Sequence, residues 1–372
     1  MVFQDVCEGE EVKKIGILTF HASHNYGSML QSYALRKYFL DSGRCCDIIN
    51  YRTAIQKDIY AVLTKRKGIK YLIKNAYVLT TYKQHKQKFE LFERFLREEL
   101  LCGKELSDSD LKDLQYDQVI TGSDQIWNVE ANDFSEVYFG RGISCQKTAY
   151  AVSCGNGNFD DRTRFDRFES LLREYEAISV RDRATAALVE SVTGHTPQIV
   201  CDPVMLFDKT TWEILAKAPK AVLPKKYIFF YTLSCTKQVA DTAKRLSKMI
   251  GLPIVISKVT SQHDILLKSK KVLNCGPQEF LYLLKNAECV ITTSYHAILF
   301  SIIFNKKFFA VGSRKDNRQK DIIGVFGIED NIIEETASIN DIDKVMRTEK
   351  DYFEKIKEFS ISGRKFLENN VR

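Results

Sequence analysis

A histidine that follows a short apolar run is the first candidate for chemistry in this chain. The segment Cys289–Ile302 reads CVITTSYHAILFSI, so a strand-like run breaks into small polar residues, presents His296 and continues as an apolar helix. A strand, a polar turn and a helix put a ligand site at the carboxyl edge of a parallel sheet. Imidazole can donate and accept a proton near neutral pH. His296 is therefore a candidate acid–base group, with a structural role as the alternative.

Two segments in the first third of the chain end a predicted strand in the same way. In Thr19–Ala34, TFHASHNYGSMLQSYA, Gly27 precedes a helix whose N-terminus offers N–H groups to an anion. No GxGxxG accompanies it, so a dinucleotide pocket is not indicated. In Val119–Asn128, VITGSDQIWN, Asp124 offers a carboxylate and Trp127 a flat face for a sugar ring. The alternatives are an ordinary turn in the first segment and a helix cap formed by Ser123 or Asp124 in the second.

Charged residues follow three later apolar runs. Arg181 comes directly after one of them, where a guanidinium can hold a phosphate or a carboxylate with two hydrogen bonds. A structural ion pair, with Asp182 or with another helix, is the alternative. Asp202 ends a second run and either fixes the turn or contacts a ligand. The basic loop VGSRKDNRQK follows the last predicted strand, so Arg314 and Arg318 are expected at the same crevice as the histidine.

These residues need a scaffold, and the apolar patterning predicts one. Short apolar runs alternate with amphipathic segments, which is typical of α/β layers with mostly parallel sheets. The predicted strands are 14–20, 46–51, 117–121, 148–153, 177–180, 198–201, 227–231, 253–257, 289–292 and 307–311, and the predicted helices include 28–42, 182–192, 238–250 and 278–287.

Proline usage predicts where one domain ends. All six prolines lie at or after Pro197, and four of them fall between Pro197 and Pro224, just before a fresh apolar strand. We therefore expect two facing, Rossmann-like, doubly wound α/β domains that resemble the GT-B architecture, with the substrate in the cleft. The expected bounds are an N-terminal domain over 1–205 with a basic helical insertion at about 52–112, a crossover linker over 206–224, a C-terminal domain over 225–340 and a helical segment over 341–372.

The composition is that of a soluble globular protein. Hydrophobic residues make up 44% of the chain and charged residues 28%, which argues against disorder. No apolar run reaches the ~20 residues that span a bilayer, and the first residues lack the features of a secretory signal. We therefore expect a cytoplasmic protein, peripheral on the inner face of the membrane if its basic segment binds lipid. The ten cysteines include no CxxC, so we expect reduced structural thiols and no metal site.

Positive charge is concentrated between residues 52 and 97. Twelve lysines and arginines stand there against three acids, in a chain whose net charge is +7. Tyr, Leu, Ile and Phe recur between the charges at helical spacing. A solvated helical hairpin, an anionic membrane surface and a phosphate-bearing acceptor are the alternatives that this pattern leaves open. Nucleic acid is not expected, since no recognition motif accompanies the charge.

Taken in order, the motifs resemble the polysaccharide pyruvyl transferase family. The resemblance spans about residues 15–328 and includes GILTFHASHNYGSMLQSYAL, ITGSDQIWN, AYAVSCG, ISVRDRA, the CDP turn, PQEFLYLLKNAECVITTSYHAILFSI and NRQKDIIGVFGI. Such enzymes move the enolpyruvyl carbons of phosphoenolpyruvate onto a sugar, usually as a 4,6-linked ketal, and release phosphate. The resemblance therefore implies a transferase of surface-polysaccharide biosynthesis with phosphoenolpyruvate as donor substrate and no cofactor.

The resemblance also assigns roles by position. His296 matches the histidine of the family's S-[FY]-H-G motif, Arg181 the arginine of its VR pair, and Ser123–Gln125 the GSDQ loop. The family's glycine is Ala297 here, so we expect the local turn to differ. The predicted catalytic residues are His296 and Asp124, with no metal. The predicted donor-binding residues are Arg181, Arg318, Ser294 and Ser153, and the predicted acceptor-binding residues are Asn25, Tyr26, Gln31, Ser123, Gln125, Trp127 and Asn128.

Two other functions fit parts of the same sequence. An ordinary GT-B glycosyltransferase would share the cleft and the phosphate contacts, but it needs a nucleotide-base pocket that the sequence does not identify. A non-catalytic subunit would attach to a membrane-associated assembly through the basic segment. The expected partners are phosphoenolpyruvate, a glycan acceptor that is lipid-linked or polymeric, and an anionic membrane surface.

Overall fold

The chain forms two compact units, each built on a parallel six-stranded sheet. The computed structural model describes residues 13–100, 102–155, 166–311, 317–333 and 339–371. The first unit comprises the residues up to Tyr77, Glu93–Leu206 and the residues from Glu358 onward, and the second comprises Val78–Phe92 and Phe207–Lys357. Two Rossmann-like α/β units confirm the predicted fold class.

The first sheet is wound in both directions from its middle. Its strands are β1 (Lys14–Leu18), β2 (Cys45–Ile48), β3 (Gln118–Asp124), β4 (Gln146–Val152), β5 (Ala177–Val180) and β6 (Gln198–Ile199). They are parallel and lie in the order β2-β1-β3-β4-β5-β6. The direction of winding reverses between β1 and β3, and an open α/β sheet binds its ligands beyond the carboxyl ends of the strands at such a point.

The second sheet has its own reversal point. Its strands are β7 (Ile228–Tyr231), β8 (Ile254–Ile256), β9 (Lys270–Lys271), β10 (Cys289–Thr292), β11 (Lys307–Val311) and β12 (Ile332–Ile333). They are parallel in the order β12-β11-β10-β7-β8-β9, so winding reverses between β7 and β10. Buried strands need apolar side chains on both faces, which is why β7 and β10 read as continuous apolar runs.

Helices connect the strands in both units. They are α1 (Tyr26–Asp41), α2 (Ala54–Tyr60), α3 (Ile69–Thr80), α4 (Tyr82–Glu98), α5 (Glu169–Arg173), α6 (Arg183–Thr193), α7 (Lys209–Leu215), α8 (Lys237–Ile250), α9 (Gln262–Leu266), α10 (Pro277–Lys285), α11 (Tyr295–Ile303), α12 (Asn317–Phe326), α13 (Ile339–Arg347) and α14 (Phe353–Asn370). Local sequence sets several ends. The Asn25 side chain accepts a hydrogen bond from the Gly27 N–H at the start of α1. Gly194 ends α6 with a φ of +75°, which suits glycine. No helix in the described ranges is long and apolar enough to cross a bilayer.

The compact units differ from the predicted domain bounds at three places. The basic insertion is helical as expected, but Val78–Phe92 within it belongs to the second unit. The expected linker contains α7, and its Trp212 packs edge-on against Phe300, with ring centroids 4.9 Å apart, so this segment is part of the second unit's core. The C-terminal helical segment divides between the units at Lys357.

Residues of α4 attach Val78–Phe92 to the second unit through polar contacts. Asn274 Nδ2 donates to Gln87 Oε1 at 3.2 Å, and Lys88 Nζ donates to the carbonyl oxygen of Ser257 at 3.3 Å. Burial, together with the nearby positive charge of Lys258, lowers the pKa of the Lys88 ammonium to about 7. The folded protein therefore holds this proton less tightly than the unfolded chain.

Replacing Lys88 with methionine tests this coupling between protonation and stability. In wild type, the unfolded chain binds one more proton than the folded protein between pH 7 and the ordinary lysine pKa, so the free energy of unfolding rises with pH there. We expect Lys88→Met to remove about 3 kcal/mol of the rise between pH 6 and pH 9, measured by urea unfolding. Lys86→Met, at an exposed position of the same helix, is the control and should keep the wild-type slope. An unchanged slope in Lys88→Met contradicts the assignment.

Candidate active site

Four side chains from four elements meet beyond the reversal point of the first sheet. Asp124 ends β3, Arg181 follows β5, Asp202 lies three residues after β6, and Ser28 lies in the first turn of α1. Arg181 Nη1 donates to Asp202 Oδ2 at 2.7 Å, and Nη2 donates to Asp124 Oδ1 at 3.3 Å. Ser28 Oγ donates to Asp124 Oδ2 at 2.5 Å. We name these four residues the Asp124 cluster.

Both terminal nitrogens of the Arg181 guanidinium bind carboxylates of this cluster. Its side chain and that of Asp202 have no solvent exposure, and the side chain of Asp124 is 6% exposed. The structure therefore favours the ion-pair alternative, with Asp124 and Asp202 as partners. Asp182 instead caps α6, where its Oδ1 accepts from the Thr185 N–H at 2.8 Å. One guanidinium between two carboxylates leaves the cluster with a net negative charge, which suits holding Asp124 better than capturing a phosphate.

A second set of hydrogen bonds fixes the loop that carries Asp124. Gln31 Nε2 donates to Thr19 Oγ1 at 2.9 Å, and the Ser123 N–H donates to Gln31 Oε1 at 3.2 Å. Thr19 Oγ1 in turn donates to the Ser123 carbonyl oxygen at 3.1 Å. These three side chains are completely buried. They hold Asp124 at a φ of +73°, a region that few residues other than glycine adopt and that is often found at functional sites.

Trp127 lies in the hydrophobic core of the first unit. Its ring has no exposure, stacks on Phe139 with centroids 5.1 Å apart, and meets the edge of Tyr175. The indole N–H donates to the Tyr138 carbonyl oxygen at 2.8 Å. Trp127 therefore packs the core beneath the loop instead of offering a free face to a sugar ring, which corrects the expectation from its position after Asp124.

The other predicted residues of the first unit lie around the same loop. Ser153 and Tyr26 are buried, and the Ser153 hydroxyl accepts from the Gly155 N–H at 3.0 Å. Asn25, Gln125 and Asn128 are partly exposed. These three amide side chains are the predicted acceptor residues that have solvent access. The Gln125 N–H donates to Asp124 Oδ1 at 2.8 Å, so this residue also adjoins the cluster.

A buried carboxyl near Asp124 carries no sequence signal. Burial raises the pKa of Asp133, and the negative charge of Asp124 adds to the rise. Burial, with the charge of Asp133, likewise raises the pKa of Tyr60. The search for polar residues at the ends of apolar strands does not find these two residues. Asp133 lies in a loop that does not follow an apolar run, and Tyr60 is the last residue of a helix in the basic segment. Ser28 was missed for a related reason, since its role depends on which strand lies opposite α1.

In the second unit, His296 lies just beyond the reversal point of the second sheet. It is the second residue of α11, which follows β10 after Thr293 and the N-cap Ser294. The ends of β7 and β10 are joined there, because Thr292 Oγ1 donates to the Tyr231 carbonyl oxygen at 2.7 Å. His296 is 8% exposed and Ser294 4%. Within the described residues, the Ser294 hydroxyl makes no capping hydrogen bond to the helix.

Arg318 reaches the same edge from the first turn of α12. Its guanidinium carbon lies 5.7 Å from the centroid of the Tyr295 ring, and that ring lies 5.3 Å from the His296 ring. Gln319 Nε2 donates to the Thr293 carbonyl oxygen at 3.2 Å and so ties α12 to the turn before α11. We name Thr293, Ser294, His296, Arg318 and Gln319 the His296 edge. Arg314 lies outside the described residues.

The alanine after the histidine fits the backbone that the structure shows. Ala297 is the third residue of α11 and is completely buried. It is not among the described residues with positive φ, so the position does not require glycine. Alanine is favoured over glycine in a helix by about 1 kcal/mol. Ala297 therefore forms part of an ordinary first turn of helix.

The His296 edge can bind an anion and move a proton. N–H groups in the first turn of a helix have no partner within it, and they favour negative charge. Arg318 adds a guanidinium and His296 an imidazole at that end of α11. In the described part of the chain, no cluster of three or more His, Cys, Asp or Glu could hold a metal ion.

Several solved GT-B sugar enzymes have a similar fold. UDP-GlcNAc 2-epimerase from Methanocaldococcus jannaschii matches with a TM-score of 0.53 at 13% identity, covering 96% of this chain and 99% of that one. The enzyme from Neisseria meningitidis, solved with UDP-GlcNAc, gives 0.54 at 10% identity, with 96% and 99% covered. The enzyme from Rickettsia bellii gives 0.53 at 10%, with 96% of each chain covered. At such identities the likeness concerns the fold alone.

The family follows from sequence. The model of the polysaccharide pyruvyl transferase family matches residues 25–315, and the chain belongs to that family. The protein is therefore a transferase. No curated protein sequence matches the chain.

Removing the guanidinium of the Asp124 cluster should destabilise the first unit. Arg181→Gln leaves two buried carboxylates without their cation, and breaking such a pair costs about 3–5 kcal/mol. We expect a loss of that size in the free energy of unfolding, measured with urea at neutral pH. Arg173→Gln is the control, since Arg173 pairs with Glu169 at 2.7 Å on the exposed surface, and about 0.5 kcal/mol or less should be lost. A loss below about 1 kcal/mol for Arg181→Gln would show that the cluster is not the ion pair described.

Proposed function

We propose that the protein transfers the enolpyruvyl group of phosphoenolpyruvate to a sugar of a surface polysaccharide or of its lipid-linked precursor. The product is a pyruvate ketal, 4,6-linked, and phosphate is released. One observation carries the proposal: in a chain of the pyruvyl transferase family, a histidine and an arginine occupy the first turns of α11 and α12 at one sheet edge.

The donor chemistry matches the His296 edge. Phosphoenolpyruvate carries a phosphate and a carboxylate, and both prefer guanidinium groups and helix N-termini. Arg318 and the first-turn N–H groups of α11 supply those donors, with Ser294 beside them. Arg181 is left with a positioning role, because both of its terminal nitrogens already bind carboxylates.

The proposed reaction needs one proton donor and two proton acceptors in sequence. His296 in its protonated form gives a proton to C3 of the enol, and a sugar hydroxyl attacks C2 and loses its proton. The C2–O bond to phosphate then breaks, and the second hydroxyl adds to C2, loses its proton and closes the ketal. Neutral His296 can take back one of these protons. We assign the other to Asp124, whose carboxylate is fixed by Ser28 and Arg181.

The acceptor side of the proposal rests on the first unit and the basic segment. Asn25, Gln125 and Asn128 are the predicted acceptor residues with partial exposure and hydrogen-bonding amides. The charge excess over residues 52–97 suits a phosphate-bearing, lipid-linked acceptor at an anionic membrane surface. We therefore propose peripheral association with the membrane. The proposal requires no cofactor.

Product analysis tests the reaction. The full chain is incubated with phosphoenolpyruvate and a panel of lipid-linked and aryl glycosides, and mass spectrometry follows each acceptor. We expect one acceptor to gain the mass of one pyruvate less one water, with an equal amount of phosphate released. His296→Gln should lower kcat by about 10²–10⁴-fold, because general acid–base help of this kind has that size.

The control for His296→Gln is His263→Gln, in α9 of the same unit. Both variants should keep the wild-type thermal midpoint, and His263→Gln should keep wild-type turnover. Near-wild-type turnover by a folded His296→Gln enzyme would refute the proposed proton donor. If no acceptor gains mass and no phosphate is released from phosphoenolpyruvate, the proposed pyruvyl transfer is refuted.

A further inference from the structure

An apolar stripe runs along the solvent side of α3. Ile69, Leu72, Ile73 and Leu79 are 75%, 64%, 65% and 60% exposed, although aliphatic side chains of this size are usually buried. Their spacing puts them on one face of the helix. Val78, on the opposite face, is 3% exposed and anchors the helix to the protein. We name the four exposed residues the α3 stripe.

Basic side chains lie beside the stripe. Lys65 and Lys67 are exposed, and the loop that carries them is held to α3. Thr64 and Asn75 exchange two hydrogen bonds, from the Thr64 N–H to Asn75 Oδ1 at 3.2 Å and from Asn75 Nδ2 to the Thr64 carbonyl oxygen at 3.0 Å. The loop that carries Lys65 and Lys67 is therefore fixed against α3.

A second anchor fixes the same loop. Asp58 in α2 accepts hydrogen bonds from the Lys65 N–H at 2.8 Å and from Thr64 Oγ1 at 3.0 Å. Arg66 Nε lies 3.4 Å from Asp58 Oδ2. A groove of about 690 Å³ between α2 and α3 is lined in part by Arg66, Lys67 and Tyr71. The loop that carries Lys65, Arg66 and Lys67 is therefore fixed in the folded protein beside α2 and α3.

We propose that α3 is a membrane-surface helix, with the α3 stripe inserted among the acyl chains and the flanking cations on anionic lipid headgroups. An apolar face bordered by lysine and arginine is the composition of helices that lie in the interfacial plane. The exposed ammonium groups of Lys65 and Lys67 are suited to headgroup phosphates. This inference deepens the membrane part of the proposed function and rests on it, because it names the residues that enter the lipid.

A second copy of the chain fits the α3 stripe less well than a membrane does. Four aliphatic side chains fall well short of the ~800 Å² per partner that a stable dimer buries. Two copies meeting here would also bring together two segments with twelve basic and three acidic residues each. That repulsion disfavours self-association and is the reverse of the attraction to an anionic bilayer.

Tryptophan fluorescence reports insertion directly. The chain has two tryptophans, Trp127 and Trp212, and both are completely buried, so their emission should not respond to lipid. Leu72→Trp adds an exposed reporter to the stripe. We expect its emission to shift to shorter wavelength with vesicles of phosphatidylcholine and phosphatidylglycerol, and to be quenched by brominated acyl chains. Vesicles of phosphatidylcholine alone should give a smaller shift.

Vesicle sedimentation separates the apolar and ionic contributions. Leu72→Ser/Ile73→Ser should lower the partition coefficient of the full chain at least ~10-fold at every salt concentration. Lys65→Gln/Lys67→Gln should lower it roughly 10-fold at low salt and little at high salt. The control is Ile214→Ser, which replaces an isolated side chain that is 80% exposed and should bind as wild type. All five positions are exposed, and an unchanged thermal midpoint verifies folding.

Two results would overturn the inference. One is a Leu72→Trp spectrum that does not respond to anionic vesicles at low salt. The other is a blue shift that follows protein concentration without lipid, with a doubled mass in light scattering, which would assign the stripe to a second copy. Turnover on a water-soluble aryl glycoside without vesicles should be unchanged in Leu72→Ser/Ile73→Ser. Loss of lipid binding is therefore distinguishable from failure of the transferase proposal, which removes turnover in wild type as well.

Discussion

The Arg181 guanidinium is the interaction on which the first unit's site depends. It lies without solvent contact between Asp124 and Asp202, so it joins the ends of β3, β5 and the segment after β6. A buried cation in this position has to be matched by carboxylates, and the two that match it are fixed in turn. Asp124 keeps a strained φ of +73° because this ion pair and the Ser28 hydroxyl hold its side chain from two sides. The Asp124 carboxylate is thereby held in one position.

The second unit differs from the first in the groups that it places at its sheet edge. The donor that we propose is an anion, and the His296 edge offers helix termini and a single guanidinium instead of a carboxylate-rich cluster. Thr292 and Gln319 hold the turn between β10 and α11 from two sides, through the Tyr231 and Thr293 carbonyl oxygens. Both sites occur where strand order reverses, which is the position that the topology of a doubly wound sheet leaves open for ligands.

Sequence patterning predicts most strands and helices of the scaffold. It does not predict which side chains contact one another in the folded protein. The strand, turn and helix around His296 were predicted from apolar runs, and the structure has them at Cys289–Thr292 and Tyr295–Ile303. The two-residue strand Lys270–Lys271 was missed because it has no apolar run. Arg181 was predicted at a strand end, but its ion-pair partners depend on which strands are neighbours in the sheet. Trp127 was misjudged for the same reason, since the Phe139 ring that covers it comes from another segment. The α3 stripe was visible only as apolar spacing among lysines, and its exposure required the fold.

Calorimetry on the full chain tests the central claim that the His296 edge is a phosphoenolpyruvate site. A GT-B glycosyltransferase would bind a nucleotide sugar instead of phosphoenolpyruvate, so the titration compares these two donor classes. Titration with phosphoenolpyruvate should give saturable binding that is lost in Arg318→Met, and UDP-GlcNAc should give none. Saturable binding of UDP-GlcNAc, with no heat from phosphoenolpyruvate, would contradict the account.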